Sequence, residues 1–542
     1  MSTVTLADFE GADVTPWETI VSLLVALLNS VVAFLNYLSA KPDYLPRLYY
    51  PNEPAYFTAK KRDPKDIITN TLTQELRDLQ ANGETFHSNE QPALGPYSNG
   101  NTINKLKRAT EHVSIRSFVE ARCPTLLKDY VPSWWLRSGH LNTIYCVMGD
   151  FTKKDLVEYE RTLLRLPDGG TIGLDFTPPT AHRVLDPKTP VIVVLHGLSG
   201  VLLIARTGSF ESYVRDILST ACASKEDGGL GYRACVMNFR GCAGVPLTTA
   251  QLYSGAHTDD LRSTLLYLRE LYPEAPLLGI GFSLGANVLT RYVEEEGGTC
   301  RLRSACVLGC PWNLTLNSDM LEKRWIYRNL YSKALGGNLL YLLRSHLETL
   351  NKLAPTKATP HILRLLKMRA PTLKDFDHHV TCWMGGSAPK FPFESADAYY
   401  AGSSAHDSVQ DIRIPFIAFN ASDDPIVAEM PVNEIRQSQW VFQVVTPYGG
   451  HLGWFEGGTF GGFQRFGGPP PRWVRKPVLE WLQATGEDLG PEFDDKGLGR
   501  VQASNGFTME EGKRDVGYKR LERSKPKYQP QRPEEHLVLT AA

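Results

Sequence analysis

The chain has 542 residues, with 58 Lys and Arg against 59 Asp and Glu, so its net charge is -1. That length suits one large core with insertions or two ordinary domains, and 42% hydrophobic with 22% charged residues is a globular composition. A balance this close to neutral supplies no field to gather nucleic acid or an anionic surface, so nucleic-acid binding is set aside.

Residues 1–18 hold Asp8, Glu10, Asp13 and Glu18 and no basic residue. They lack the positive region of a secretory signal and are expected to be disordered. The run 19–40, "TIVSLLVALLNSVVAFLNYLSA", carries no charge. As a helix it would extend roughly 33 Å, about one hydrocarbon thickness. Ser22, Asn29 and Asn36 recur every seven residues and form one polar stripe. An amphipathic helix lying in the interface is the alternative. Interfacial helices carry a charged face, which is absent here, so a single-pass or hairpin membrane anchor is preferred. Acids precede the run, whereas Lys41, Arg47, Lys60, Lys61 and Arg62 follow it, which places the bulk of the chain in the cytosol.

Residues 41–117 read as an N-terminal extension with a polar, Asn- and Gly-rich insertion from about Leu79 to His112. Residues 118–310 read as the first part of an α/β core. "EYERTLLRLPDGGTIGLDF" alternates around Asp168-Gly169-Gly170 as a hairpin. The short apolar runs "VIVVLHG", "YRACVMNFRG", "APLLGIGFS", "SACVLGC" and "IPFIAFNA", separated by helical stretches, predict a mostly parallel sheet with helices on both faces. Residues 311–404 read as a helical cap inserted into that sheet, with Trp325, Tyr327, Tyr331, Leu339, Leu340 and Leu342 packing inside it. The core resumes over 405–485. The polar, charged segment 486–542 is expected to be a disordered tail.

The nine cysteines are odd in number, scattered and without a C-x-x-C pair. They predict buried thiols in a reducing compartment, not a disulfide framework or a zinc site, and Cys242 in "FRGCAG" reads as a packing residue. The sequons at Asn313 and Asn420 lie beside predicted core strands and are read as unused. Neighbouring His378 and His379 are poorly aimed at a shared ion, so no metal is assigned. No dinucleotide fingerprint or Walker sequence occurs, and no cofactor is expected.

Gly281-Phe282-Ser283-Leu284-Gly285 matches G-x-S-x-G, a weak pattern alone. Here a buried strand precedes it and a helix follows, the setting of a nucleophile on a strained turn. A nucleophilic serine needs a base, an orienting acid and an anion-stabilising pocket. After "IPFIAFNA" the chain offers Asp423 and Asp424; Asp424, just before Pro425, is the candidate acid, and Asp423 the turn cap. After the next strand, His451 follows two glycines and is the candidate base. The oxyanion donors are expected to be the backbone N–H groups of Leu284 and Leu198, with His196 a structural donor beside them.

The ordered set "LRSGHLNTIY", "YERTLLRLPDGGTIGLDF", "LHGLSG", "MNFRGCAG", "SGAHTDDL", "GFSLGANVL", "SADAYYAGSS", "ASDDPIV" and "GGHLGWFEG" resembles the AB hydrolase 4 family of α/β-hydrolases over Phe118 to Thr485. That resemblance implies the α/β-hydrolase fold, with Ser283 as nucleophile, Asp424 as acid and His451 as base. The "VPLTTAQLYSG" continuation of the "FRGCAG" loop varies the family's usual residues at the rim of the site. The expected activity is a serine carboxylesterase or lipase acting on lipophilic acyl esters, acylglycerols or medium-chain esters, through an acyl-Ser283. The expected setting is a membrane or lipid-droplet surface, at the endoplasmic reticulum or on a droplet. Acyl-CoA:alcohol O-acyltransfer by the same intermediate is the alternative. A third reading is a non-enzymatic membrane scaffold, which the retention of all three residues disfavours.

Overall fold

A computed structural model describes residues 43–61, 110–198, 208–353, 357–457, 469–493, 499–502 and 505–521. The expected anchor at 19–40 and nearly all of the polar insertion lie outside the described residues. Among the described residues, no helix is long and apolar enough to cross a membrane.

Fourteen strands are described: β1 Arg47–Tyr49, β2 Tyr56–Lys60, β3 Thr110–Ser114, β4 Glu160–Arg165, β5 Thr171–Thr177, β6 Val191–Leu195, β7 Arg233–Asn238, β8 Leu277–Phe282, β9 Ser304–Leu308, β10 Phe416–Ala421, β11 Val441–Thr446, β12 Arg500–Gln502, β13 Thr508–Glu510 and β14 Gly517–Arg520. Twelve form one sheet in the order β1-β11-β10-β9-β8-β6-β7-β5-β4-β14-β13-β12. From β7 across to β11 the pairing is parallel, while β4, β5 and β1 join antiparallel. The predicted hairpin is the β4–β5 pair.

The central strands are continuous apolar runs because both faces of the sheet are covered. Along β6, Val191, Val193 and Leu195 enter one core while Ile192 and Val194 enter the other, the two-residue alternation of a strand. Helices Asp259–Leu271 and Leu284–Glu296 bury Leu265 and Leu289 on the first face. Helices Ser212–Ala221 and Arg475–Glu487 bury Val214 and Trp481 on the second. All nine cysteines are free, eight of them buried.

Between β9 and β10 the cap runs through helices Leu314–Lys323, Lys333–Ser345, Leu347–Leu353, Thr359–Leu366 and Ala396–Ser403. Its Tyr331, Leu339, Leu340 and Leu342 are buried as expected and Tyr327 is half-buried, but Trp325 is 59% exposed. Trp325 opens a short helical turn, Trp325–Tyr327, that directs its ring to solvent instead of into the cap.

The tail expectation is corrected for the described residues up to 521, and residues 522–542 lie outside the described residues. Helix Arg475–Glu487 carries past residue 486, and β14 then pairs antiparallel with β4, extending the sheet through β13 and β12. These strands have three or four residues and polar sequences, so they show no apolar alternation. Tertiary contacts hold them instead: Tyr518 meets Tyr267 edge-on at 5.0 Å, and Arg301 pairs with Glu510 at 2.7 Å with both side chains at most 3% exposed. At the other edge, β1 pairs with β11, and Tyr50 stacks on Phe442 at 4.8 Å.

Replacing one partner of a buried ion pair strands the other charge, at a cost of about 3–5 kcal/mol. Glu510→Leu is therefore expected to lower stability by about 3 kcal/mol, seen as a lower urea midpoint. An unchanged midpoint means that the C-terminal strands do not hold the body together.

Candidate active site

The parallel strands end where their loops must turn back toward the helices, and three of those loops converge. β8 ends at Phe282 and helix Leu284–Glu296 starts after a single residue, Ser283, at φ +50° and ψ -118°. A side chain held there costs on the order of 1–3 kcal/mol. The strain is borne by hydrogen bonds: Ser283 N–H donates to the Leu308 carbonyl at 2.9 Å, and the Ser283 carbonyl accepts from Ala286 N–H at 2.9 Å.

Asp424 lies just beyond β10. Its Oδ1 accepts the N–H groups of Ile426 at 2.7 Å and Val427 at 3.1 Å, which fixes the carboxylate plane. Its Oδ2 lies 2.8 Å from His451 Nδ1, and His451 Nε2 lies 2.8 Å from Ser283 Oγ. A carboxylate only accepts, so Nδ1 carries the proton and donates. The lone pair of Nε2 is then left for the Ser283 hydroxyl. The Asp424 side chain is 1% exposed and that of His451 12%, so the relay is shielded up to its imidazole edge.

The loop bearing His451 rests on the helix Gly139–Met148. His451 N–H donates to Thr143 Oγ1 at 2.8 Å, whose hydroxyl donates to the Gly139 carbonyl at 2.7 Å. Phe455 N–H donates to Asn142 Oδ1 at 3.3 Å. Gly450 N–H donates to Asp423 Oδ1 at 2.9 Å, so Asp423 ties the acid's loop to the base's loop. Burial, with Asp424 alongside, pushes the Asp423 carboxyl up to about 7. Glycine is required at 139 because a Cβ there would overlap the Asp423 carbonyl. Gly139, Asn142 and Thr143 were missed as functional residues, and Asp423 was read only as a turn cap. The signal of the first three is the run Gly139-His140-Leu141-Asn142-Thr143, where small and hydrogen-bonding residues occupy a helix start.

Leu284 is the first residue of its helix, where N–H groups have no intrahelical acceptor. Leu198 is half-buried in the turn after β6 and ends the described part of that turn. Its neighbour Gly197 adjoins the elbow: a carbon added there would lie 3.1 Å from Ser283 Cβ. His196 Nδ1 donates to the Gly197 carbonyl at 2.8 Å and its Nε2 accepts Phe239 N–H at 3.3 Å. Burial pushes His196 down to about 4 and keeps it neutral, as a structural donor must be. The turn is braced further by Tyr213 Oη, which accepts Gly197 N–H at 3.1 Å.

Two charged motifs form the rim's foundation. Arg240 of "FRGCAG" grips Asp260 of "SGAHTDDL" at 2.7 and 2.8 Å, with His257 at 3.1 Å. Burial alone would raise the Asp260 carboxyl, but Arg240 and His257 hold it well below the ordinary range. Among the hydrogen bonds that fasten the cap to the body, two involve motifs named above. His140 Nδ1 and Tyr331 Oη share a 2.6 Å hydrogen bond, and His346 Nε2 donates to the Gly241 carbonyl at 2.9 Å. A separate cavity of about 600 Å³, walled by Phe57, Arg413 and Trp440 at the opposite ends of β9 to β11, contains none of these residues.

A family model described as the alpha/beta hydrolase fold matches residues 190–458. The chain is 30% identical over 426 residues to a monoacylglycerol lipase of Saccharomyces cerevisiae, covering 72% of this chain and 88% of that protein. It is 31% identical over 350 residues to phospholipase ABHD3 of Homo sapiens, covering 64% of this chain and 78% of that one. It is also 27% identical to the medium-chain fatty acid ethyl ester synthase/esterase 2 of Saccharomyces cerevisiae, covering 66% and 89% respectively. The order of strands, the strained serine and these likenesses agree: the chain belongs to the α/β-hydrolase family.

Proposed function

We propose that this protein is a carboxylic ester hydrolase, a serine esterase or lipase that cleaves lipophilic acyl esters through an acyl-Ser283 intermediate. The observation that carries the reading is the unbroken relay Ser283 Oγ, His451 Nε2, His451 Nδ1, Asp424 Oδ2, with 2.8 Å at each hydrogen bond. Relatives named as lipase, phospholipase and esterase support the same class.

In the first half-reaction Ser283 Oγ bonds to the acyl carbonyl carbon while its proton moves to His451 Nε2. The carbonyl oxygen becomes an oxyanion beside the N–H groups of Leu284 and Leu198, which act as its donors. His451 then delivers that proton to the departing alcohol as the ester C–O bond breaks. Asp424 keeps the imidazole in the right tautomer and stabilises its cation. In the second half-reaction water gives a proton to His451, attacks the acyl carbon and releases the acid, and Ser283 recovers its proton. The apolar interior of the cap, with Leu339, Leu340 and Leu342, suits a lipophilic acyl chain. The uncharged run 19–40 is proposed to anchor the chain in a membrane with the catalytic body in the cytosol.

A second reading, acyl transfer to an alcohol, is favoured by likeness to the yeast synthase/esterase. It uses the same intermediate with an alcohol in place of water. Product analysis from one acyl donor with and without ethanol separates the two: acid alone supports hydrolysis, and ester accumulation supports transfer. The scaffold reading requires that a folded sample take up no fluorophosphonate.

Ser283→Ala is expected to abolish fluorophosphonate labelling and to lower ester turnover by a factor on the order of 10³ or more; full activity in the purified variant overturns the assignment. Thr143→Val removes the acceptor of His451 N–H, and kcat is expected to fall about tenfold with little change in KM. Recovery in Thr143→Ser, and not in the valine variant, identifies the hydrogen bond as the cause. The folded-state Asp423 carboxyl is raised to about 7, so it stays protonated in the native state after the unfolded chain has released its proton. Its contribution to stability is full below about pH 4 and is lost as pH rises to about 7. Relative to Asp423→Asn, the wild-type urea midpoint should therefore fall across that window. A constant difference between the two proteins contradicts the burial argument.

A further inference from the structure

We propose that the outer surface of the cap docks on an anionic lipid surface, and that this contact sets the end of the sheet that carries Ser283 toward the lipid layer. The proposal rests on the ester-hydrolase reading for the chemistry at that end; the docking itself stands on separate observations.

The near-neutral total conceals a segregation of charge. From Lys323 to Lys374 there are eleven Lys and Arg and one acid, Glu348, and the whole cap of residues 311–404 carries +5 while the rest of the chain carries -6. Much of that charge faces outward and is not neutralised internally. Arg324, Lys357, Arg364 and Lys367 are exposed and make no ion pair among the described residues. The same cap exposes apolar side chains that its own core leaves uncovered: Trp325 at 59%, Tyr341 at 57% and Leu353 at 43%. Lys and Arg interspersed with an exposed Trp and Tyr form the composition that settles at a lipid headgroup layer, where the cations meet phosphates and the rings sit at headgroup depth.

Position links this surface to the site. Trp325 lies two residues before Tyr327, whose ring meets His140 edge-on at 5.6 Å, and six before Tyr331, which is hydrogen-bonded to His140. His140 follows Gly139, which abuts Asp423. The exposed end of the cap therefore belongs to the segment fastened over the relay. The chain also enters the body at this end of the sheet. β1 runs antiparallel to β11, so Tyr44, just before it, reaches Tyr448 at 6.0 Å, three residues from His451. The uncharged run 19–40 ends three residues before Asp43. A surface held by that run would lie at the end of the sheet that carries the relay. A nucleic acid would use the same cations but would not account for Leu353, or for entry of the chain at this end.

Each Lys or Arg near an anionic leaflet strengthens partitioning about fivefold. The test uses the full chain in flotation with vesicles of phosphatidylcholine alone and of phosphatidylcholine mixed with phosphatidylserine. Because run 19–40 can hold the protein to either vesicle, the readout is the ratio of anionic to neutral binding. That ratio is expected to exceed one in the wild type, to fall with added salt, and to drop at least about tenfold in Arg324→Gln/Arg364→Gln/Lys367→Gln. Hydrolysis of a soluble short-chain ester should be equal in the two proteins. A wild-type ratio of one, or an unchanged ratio in the triple variant, overturns the proposal. So does a variant that loses retention on single-stranded DNA while keeping its vesicle preference. Failure of the wild type to cleave the soluble ester would instead count against the ester-hydrolase reading and leave the vesicle ratio to judge this one.

Discussion

One imidazole has to satisfy two partners at opposite edges, and neither partner is near it in the chain. His451 meets Asp424 through Nδ1 and Ser283 through Nε2, across 27 and 168 residues. The distances hold only if three loops, after β8, β10 and β11, keep their relative heights to within a fraction of an ångström. The parallel sheet supplies the coarse part of that constraint, because its strands all end on one side. The fine part comes from the helix Gly139–Met148. It lies outside the strand order yet touches both the acid's loop, at Asp423, and the base's loop, at Gly450 and His451. Thr143 and Asp423 thus act as positioning residues for the histidine.

Burial sets the electrostatics of this arrangement. Asp424 is almost wholly enclosed but accepts two backbone N–H groups and the imidazole, so no lone charge is stranded. Asp423, one residue earlier, accepts Gly450 N–H on Oδ1 while its buried Oδ2 has no partner among the described residues, and burial drives its carboxyl upward. Two adjacent carboxyls thereby take different roles: one accepts from the imidazole, and the other braces the loop. His196 follows the same logic, since a buried imidazole that must both donate and accept has to be neutral.

The central strands and the relay were legible in the sequence, for separate reasons. β6, β8 and β9 are almost wholly apolar runs because each is buried on both faces, and a run of that kind survives any loop variation around it. Ser283, Asp424 and His451 were legible because their chemistry needs a fixed order and fixed local settings. What escaped was structure held by contacts distant in sequence. The strands β12 to β14 are too short and polar to announce themselves; they exist because β4 offers an open edge and Arg301 a buried charge. Thr143 was invisible as a functional residue, since its role depends on a loop 308 residues away. Trp325 was misread because an aromatic within a helical insertion resembles core until the turn that carries it is known, although Lys323, Arg324 and Arg328 around it already marked an outward face.

The cap connects these points to function. Its His140–Tyr331 and His346–Gly241 hydrogen bonds tie it to the body beside a relay whose reaction develops an oxyanion, which oriented N–H groups stabilise. The account depends on a covalent bond forming at the residue that makes the strained turn. The direct measurement is peptide mapping by mass spectrometry after rapid quench with a slowly deacylating lipophilic ester. An acyl mass on the peptide containing Ser283, appearing before steady turnover, is the result predicted. Acylation of another residue, or turnover with Ser283 unmodified throughout, would contradict the account.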